Sequence, residues 1–360
     1  MFSLGSISNR MPYAFAGSLG LFRAAEAIAS RRLRILTYHG LCEDSLRNEP
    51  WLPRTFVTRS QFTAHMKWLA ERYHTVSLGD ALRAMAQEKP LPDRSVAVTF
   101  DDGYDTTFSI AGPVLKRFGI PATAYLSTAY IGSRELFPFD RLHLVRSCRN
   151  APGEPLPVPA HKTLPIHCVL CWLSRHWPTV EPGVSSAQRS TLQPASWETV
   201  RTWAGECFEI GAHTVSHAIL GNEIESVRVR EIAESISRVR DEFPNPGMSF
   251  SYPNGRAGDF NAKDMDLVRS NGCAGAVSTQ RGFNGAGSNL YALKRMGVGI
   301  DHDVGSVQAE LAGFRTISDR FYRLRSRLRG RRPIDPEECP FEFIFSPVSE
   351  SAPESTSKFD

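Results

Sequence analysis

"VAVTFDDGYD", residues 96–105, sets two adjacent aspartates and a glycine at the end of an apolar run. Val96, Val98 and Phe100 recur with the period of a strand, and the run is apolar enough to be buried. Neighbouring carboxylates repel, and successive strand side chains point to opposite faces. Asp101 and Asp102 therefore either close an ordinary turn or divide two different jobs between them.

Similar runs recur from residue 34 to about 300. "LRILTYHG" (33–40) reads as a strand ending at His39, and "ATAYLS" (122–127), "CFEIGAH" (207–213), "MSFSY" (248–252), "AGAVS" (274–278) and "LKRMGVG" (293–299) continue the series. Helical patterns lie between them. Residues 61–73 place Phe62, Met66 and Leu69 at 3.6-type spacing, 77–87 open on a Ser cap with Asp80 behind it, and "GPVLKRFG" stops at Gly119. Further helices are predicted at "SWETVRTWA", 223–242 and 261–271. About seven strands, each followed by helix or loop, predict a parallel α/β fold. His39, Asp101, Asp102, His213 and Tyr252 all fall at C-terminal strand ends, the face where a parallel barrel carries its site. An open doubly wound sheet also uses strand ends, but no glycine-rich nucleotide fingerprint is present. A (β/α) barrel is the preferred architecture.

The chain has 360 residues, 41% hydrophobic and 10% aromatic, enough for one large core with extensions. Its net charge of +4 points to no nucleic-acid partner, and the basic residues are concentrated at the ends. Residues 1–34 hold five Arg against one Glu, and 315–332 hold eight Arg against Asp319 alone. Residues 1–33 are read as a basic amphipathic segment, 34–312 as the barrel, 313–332 as a basic amphipathic helix, and 333–360 as a disordered tail. Residues 151–195, rich in Pro, Ser and His without a period, read as a long surface insertion. Both basic helices suit peripheral contact with an anionic membrane, or docking on the barrel. Seven scattered cysteines give no disulfide framework and fit a reducing compartment. No run of 18 apolar residues occurs, so no transmembrane helix is expected. Residues 14–33 fit an amphipathic helix better than a signal peptide, so a cytoplasmic or membrane-peripheral protein is expected, with atypical secretion as the alternative.

"HTVSH" (213–217) puts two imidazoles at i and i+4. In a helical turn both share one face and can chelate one cation; otherwise the spacing is chance or a cap. A carboxylate from another strand end would complete two His and one Asp, leaving a position open as catalytic zinc sites do. One aspartate of the pair can then bind the cation while the other accepts a proton from the attacking water. The C-x-x-C of "HCVLCW" (167–172) lacks a second pair and is read as incidental.

Taken in order, "VAVTFDDGYD", "FEIGAHTVSH", "FSYPNG" and "YALKRMGVG" resemble the successive motifs of polysaccharide deacetylases with the NodB homology domain. "ILTYHG", "GPVLKRFGIPATAYL", "FDRL" and "SWETV" extend the resemblance over most of 34–300. It implies a distorted (β/α) barrel that removes N- or O-acetyl groups from sugar polymers with a divalent metal, usually zinc. Carried over, Asp101 is the base, and Asp102, His213 and His217 are metal ligands. Backbone N–H groups near Gly103 or Tyr104 are expected to stabilise the oxyanion, with Tyr252 and Pro253 on the substrate side.

The chain departs from that pattern twice. It has no late Leu-x-His to supply the acid; the early "LTYHG" resembles the branch that includes poly-N-acetylglucosamine deacetylases, which favours His39 over His302. The usual Arg-x-Pro-Tyr reads Ser251-Tyr252-Pro253-Asn254, so the Arg that steadies the base is missing, and Arg295 is the candidate replacement. Three other functions stay open: a barrel that binds glycan without cleaving it, a hydrolase of small non-peptide C–N bonds, and a membrane-surface scaffold.

Overall fold

The computed structural model describes residues 32–147, 161–244 and 248–313. These form ten strands in chain order: β1 (Arg34–Tyr38), β2 (Leu41–Cys42), β3 (Val57–Thr58), β4 (His74–Thr75), β5 (Ser95–Phe100), β6 (Ala122–Leu126), β7 (Phe208–Ala212), β8 (Ser249–Ser251), β9 (Gly275–Val277) and β10 (Met296–Gly297). β2 and β3 pair with each other; the rest make one parallel sheet, ordered β10-β1-β5-β6-β7-β8-β9. One edge of β5 lies along β1. Its other edge is shared by β4 at Ser95 and Val96 and by β6 from Val98 to Phe100.

Every residue of β1, β5 and β6 is buried, which is why these runs read as nearly continuous apolar stretches. Residues 290–298 close the sheet into a distorted barrel. Its first half bonds to β9, with Ala276 N–H on the Leu290 carbonyl (2.8 Å) and Leu293 N–H on the Ala276 carbonyl (2.9 Å). Its second half is β10, which pairs with β1 at Leu36↔Met296 and Thr37↔Gly297. The predicted parallel barrel of about seven strands is therefore the observed one, distorted where this segment stands in for regular ladder.

Odd-numbered positions of β1 and β5 line the interior, as the period of two requires. In that interior Leu33, Ile35, Ala97, Tyr125, Val277 and Leu293 cluster with Leu78, Ala81 and Leu82 of helix Leu78–Ala86. Toward the strand ends the same parity brings Thr37 and Thr99, whose hydroxyls meet at 3.2 Å. The larger core lies outside the strands, where Phe100, Leu126, Phe208 and Phe250 pack on Met66, Leu115, Ile232 and Val268 of the surrounding helices. Those helices start on local signals. Thr58 and Gln61 form a capping box for Arg59–Arg72, Asn261 and Asp264 another for Ala262–Ser270, and Gly119 ends Gly112–Phe118 at φ +63°.

The insertion differs from expectation. Its described part folds as helices Ile166–Val180 and Ser186–Leu192. Val169, Leu173 and Trp177, one turn apart, are buried against Phe137, Leu142 and Leu192. Each fully buried side chain of this kind contributes about 2 kcal/mol, and interspersed His, Cys and Pro hid the period. Residues 1–31, the start of the insertion within 148–160, and everything from 314, where most of the predicted basic helix and the predicted tail fall, lie outside the described residues.

Candidate metal centre and active site

β1 and β5 run in register from Arg34↔Val96 to Tyr38↔Phe100, so His39 and Asp101 leave the sheet side by side. The Asp101 N–H extends the ladder by one bond, to the Tyr38 carbonyl at 3.0 Å. Then the strand alternation breaks. Asp102 takes φ +76° and Gly103 φ +93°, and the Gly103 N–H closes back on the Asp101 carbonyl at 3.0 Å. A left-handed aspartate costs on the order of 1 kcal/mol or more. The turn brings the Asp102 carboxylate round to the end of β7 instead of leaving it on the opposite face from Asp101. A Cβ at Gly103 would lie 2.7 Å from Ile131 Cδ1 and 2.9 Å from Leu126 Cδ2, so the turn needs glycine for space as well.

Asp102, His213 and His217 offer ligand atoms that all lie within 4.8 Å of one another, the one such cluster among the described residues. The Asp102 Oδ1 is 3.4 Å from His213 Nε2 and 3.3 Å from His217 Nε2. It is buried without a hydrogen-bond partner, an arrangement that a cation would satisfy. His213 Nδ1 is 2.7 Å from the Ser251 carbonyl. A carbonyl only accepts, so Nδ1 carries the hydrogen and Nε2 keeps its lone pair for a metal. His217 is the more open ligand, its side chain 18% exposed and its ring 4.6 Å from Phe139.

The two histidines are not on a helix, as their spacing suggested. Residues 213–217 form an irregular loop with Thr214 at φ +62° and His217 at φ +60°. Ladder bonds continue along one side of it, from Thr128 N–H to the Thr214 carbonyl and from Ala129 N–H to the Val215 carbonyl. Strained backbone rather than helical periodicity brings the imidazoles together.

Asp101 is held apart from this cluster. Arg295 Nη1 donates to its Oδ1 (2.8 Å) and Nη2 to its Oδ2 (2.7 Å), while Ser251 Oγ donates to Oδ1 (3.2 Å). The same guanidinium reaches Thr99 Oγ1, Ser251 Oγ and the Ser278 carbonyl. Burial would raise the Asp101 pKa, but the Arg295 and His213 charges outweigh it and hold the carboxyl below its usual range. For Asp102 burial again opposes ionisation, and the close approach of the His213 and His217 imidazoles overcomes it, holding the carboxyl well below its usual range. The two imidazoles respond oppositely. Burial lowers both, but His213, facing both aspartates, is raised on balance, whereas His217, beside Asp102 and the His213 charge, stays lowered.

His39 is half-buried, its Nδ1 enclosed without a hydrogen-bond partner. Its charge, when protonated, acts on both Asp101 and Asp102. A π-helical turn, Thr107–Ala111, follows the aspartates, and Thr107 Oγ1 donates to the His39 carbonyl at 3.2 Å. His302 instead folds onto its own loop, with Nδ1 accepting the Gly299 N–H at 3.2 Å.

The substrate-side residues fall differently from expectation. Tyr252 is fully buried, stacked on Phe260 at 3.9 Å with its hydroxyl on the Tyr291 carbonyl. Its ring therefore belongs to the core. Pro253 is buried as well. The Gly103 N–H is spent on Asp101, so of the two expected oxyanion donors Tyr104 N–H remains, with no acceptor among the described residues. The Tyr104 ring packs between Phe56 and Phe137, and its hydroxyl donates to buried Asp140 at 2.8 Å.

The sequence profile of the polysaccharide deacetylases matches residues 88–274, more than half of the chain. This chain belongs to that family. A Bacillus subtilis protein assigned to the polysaccharide deacetylases, YxkH, is 24% identical over 269 residues, covering 74% of this chain and 71% of the relative. The poly-beta-1,6-N-acetyl-D-glucosamine N-deacetylase of Staphylococcus aureus is 33% identical over 87 residues, 24% of this chain and 30% of that protein. Among solved structures, the Streptococcus pyogenes deacetylase PplD in complex with acetate superposes with a TM-score of 0.55 at 16% identity, over 78% of this chain and 99% of that one. The family is one of metal-dependent deacetylases acting on non-peptide C–N bonds, and the Asp102, His213 and His217 cluster provides a suitable site for the metal.

Within this family reading, two residues that bind the site together escaped the sequence. Ser251 links both halves, its carbonyl fixing His213 and its hydroxyl Asp101. Thr107 ties the strand end carrying His39 to the helix after the aspartates. Both are common small hydroxyl residues, and only their burial at the site marks them.

Proposed function

We propose that this protein removes acetyl groups from an N-acetylated polysaccharide, with Zn²⁺ held by Asp102, His213 and His217. The observation that carries the reading is the separation of the two aspartates. One has an orphaned oxygen between two imidazole nitrogens, and the other is fixed by a buried guanidinium at the same strand-end face. Two neutral imidazoles and one carboxylate are the donor set of a catalytic zinc site with room for substrate. The cation would polarise the acyl carbonyl and acidify water.

Arg295 keeps Asp101 ionised and aimed, so it can accept the proton of the attacking water. His39 stands beside it at the end of the adjacent strand and gives a proton to the departing amine. Tyr104 N–H is the backbone donor available to the developing oxyanion. The Arg295 pairing supports chemistry over mere glycan binding, because it restores the steadying guanidinium that the Ser251 position lacks. The Staphylococcus aureus relative suggests β-1,6-linked N-acetylglucosamine oligomers as the first substrate to try. The test is acetate release from a panel of acetylated glycans and small amides, with and without chelator. Chelator-sensitive release from the N-acetylated glycans is expected; none from any glycan, or release from small amides only, would overturn the reading.

A further inference from the structure

Glu231 sits at 3% exposure on helix Glu225–Glu242, in the face that otherwise buries Ile232, Ser235, Ile236 and Val239. No Lys or Arg pairs with it among the described residues. Its carboxylate is spent entirely on the loop between the two histidines. Oε2 accepts the Val215 N–H at 2.9 Å and the Ser216 N–H at 2.9 Å, and Oε1 accepts the Ser216 hydroxyl at 2.7 Å. Val215 and Ser216 are the two residues between Thr214 and His217, the two positions in left-handed backbone.

A run of this shape does not hold itself. Left-handed non-glycine residues persist only where their surroundings over-determine them, and two adjacent backbone N–H groups turned inward need an acceptor. On one side the loop has the ladder bonds from Thr128 and Ala129; on the other it has Glu231 alone with three charge-assisted bonds. We propose that Glu231 is a positioning residue that presets the His213–His217 spacing, so that the cation meets an assembled site. It reaches the ligands through the loop backbone and is not itself a ligand. The inference rests on the metal reading of the site.

The test measures metal binding directly. Zinc affinity is read by competition with a chromophoric chelator, and the cobalt(II)-loaded protein gives a visible spectrum that reports ligand geometry. Glu231→Gln keeps the size of the side chain but replaces one accepting oxygen with an amide NH₂, which donates and cannot accept, and removes the charge. Affinity should fall by roughly 10- to 100-fold, the usual effect of removing an outer partner of a metal ligand, and the cobalt spectrum should change. Ser216→Ala, which loses only the hydroxyl bond, should fall between the wild type and Glu231→Gln, and it decides the matter if Glu231→Gln does not fold. Wild-type affinity and an unchanged spectrum in Glu231→Gln, or in Ser216→Ala where that must serve, would overturn the anchoring role alone. A wild-type chain that takes up no cation would overturn the metal reading, and the anchor with it.

Discussion

Replacing Arg295 with Met isolates the guanidinium that holds Asp101. The guanidinium is 1% exposed and makes five hydrogen bonds, two of them bidentate to Asp101. Methionine fills much of the same volume but leaves Asp101 buried without its counter-ion. Removing one partner of a buried pair costs roughly 3–5 kcal/mol, so denaturant unfolding of Arg295→Met should show a loss of that order. The pair also predicts a pH effect. With Arg295 present the Asp101 pKa is depressed, so the pair contributes stability above the unfolded carboxyl pKa of about 3.9, and this is lost as pH falls through the folded value. Without Arg295, burial is opposed mainly by His213, the carboxyl pKa rises, and the acid limb of the pH–rate profile should move upward. Adding Asp101→Asn to Arg295→Met should recover much of the stability, because the uncompensated charge is gone, but no turnover. A variant with wild-type stability and an unmoved acid limb would refute the argument that Arg295 holds the base ionised.

Asp101→Asn should keep its metal and lose about 10²- to 10⁴-fold in turnover, the usual worth of a general base, whereas Asp102→Asn should lose metal; equal metal loss in both would refute the division of roles. His39→Ala should lose turnover on N-acetyl substrates and much less on an activated acetate ester, whose leaving group needs little protonation, with a uniform loss on both counting against an acid role. His65, buried between the Tyr38 hydroxyl and the His302 carbonyl, has its pKa lowered by burial to about 4. The unfolded chain binds its proton from about pH 6.5, so His65 stabilises the neutral-pH fold and that contribution, up to roughly 3 kcal/mol, disappears as pH falls from 6.5 toward 4. A His65→Gln variant should show a shallower stability–pH slope in that window; identical slopes would remove the attribution.

The sequence was legible where residue type alone constrains chemistry. An Asp pair at the end of a buried strand, a spaced His pair and a strand-end His can be read without coordinates. Arg295 was legible for a subtler reason: with Ser251 at the usual Arg position, Asp101, the proposed base, needs a guanidinium from elsewhere, and Arg295 stands just before β10, on the segment that closes the barrel. Tyr252 shows a different kind of failure. Strand parity already held the answer, because Ser251 faces the interior, its hydroxyl on Asp101, so that Tyr252 must face the core outside the strands. A strand-end address is not enough; the parity of the position has to be read with it.

The same parity argument fails at Asp102, and the failure is informative. Thr99 and Asp101 point inward, so Asp102 in continued strand would point away from the site. It reaches His213 and His217 only because the backbone turns left-handed at Asp102 and Gly103, and the loop carrying the histidines is left-handed at Thr214 and His217. All three proposed metal ligands therefore depend, directly or through a neighbour, on backbone that a sequence pattern does not announce. That backbone is held by the closing bond of the Gly103 turn, by the ladder bonds from Thr128 and Ala129, and by the three bonds to Glu231. Glu231 did leave a trace, a charged residue inside the stripe of Ile232, Ile236 and Val239. An ionised side chain in the apolar stripe of a helix carries a desolvation cost that some partner must offset. Here the partner is the backbone between the proposed ligands, so the helix is part of the proposed metal site although it contributes no ligand to it.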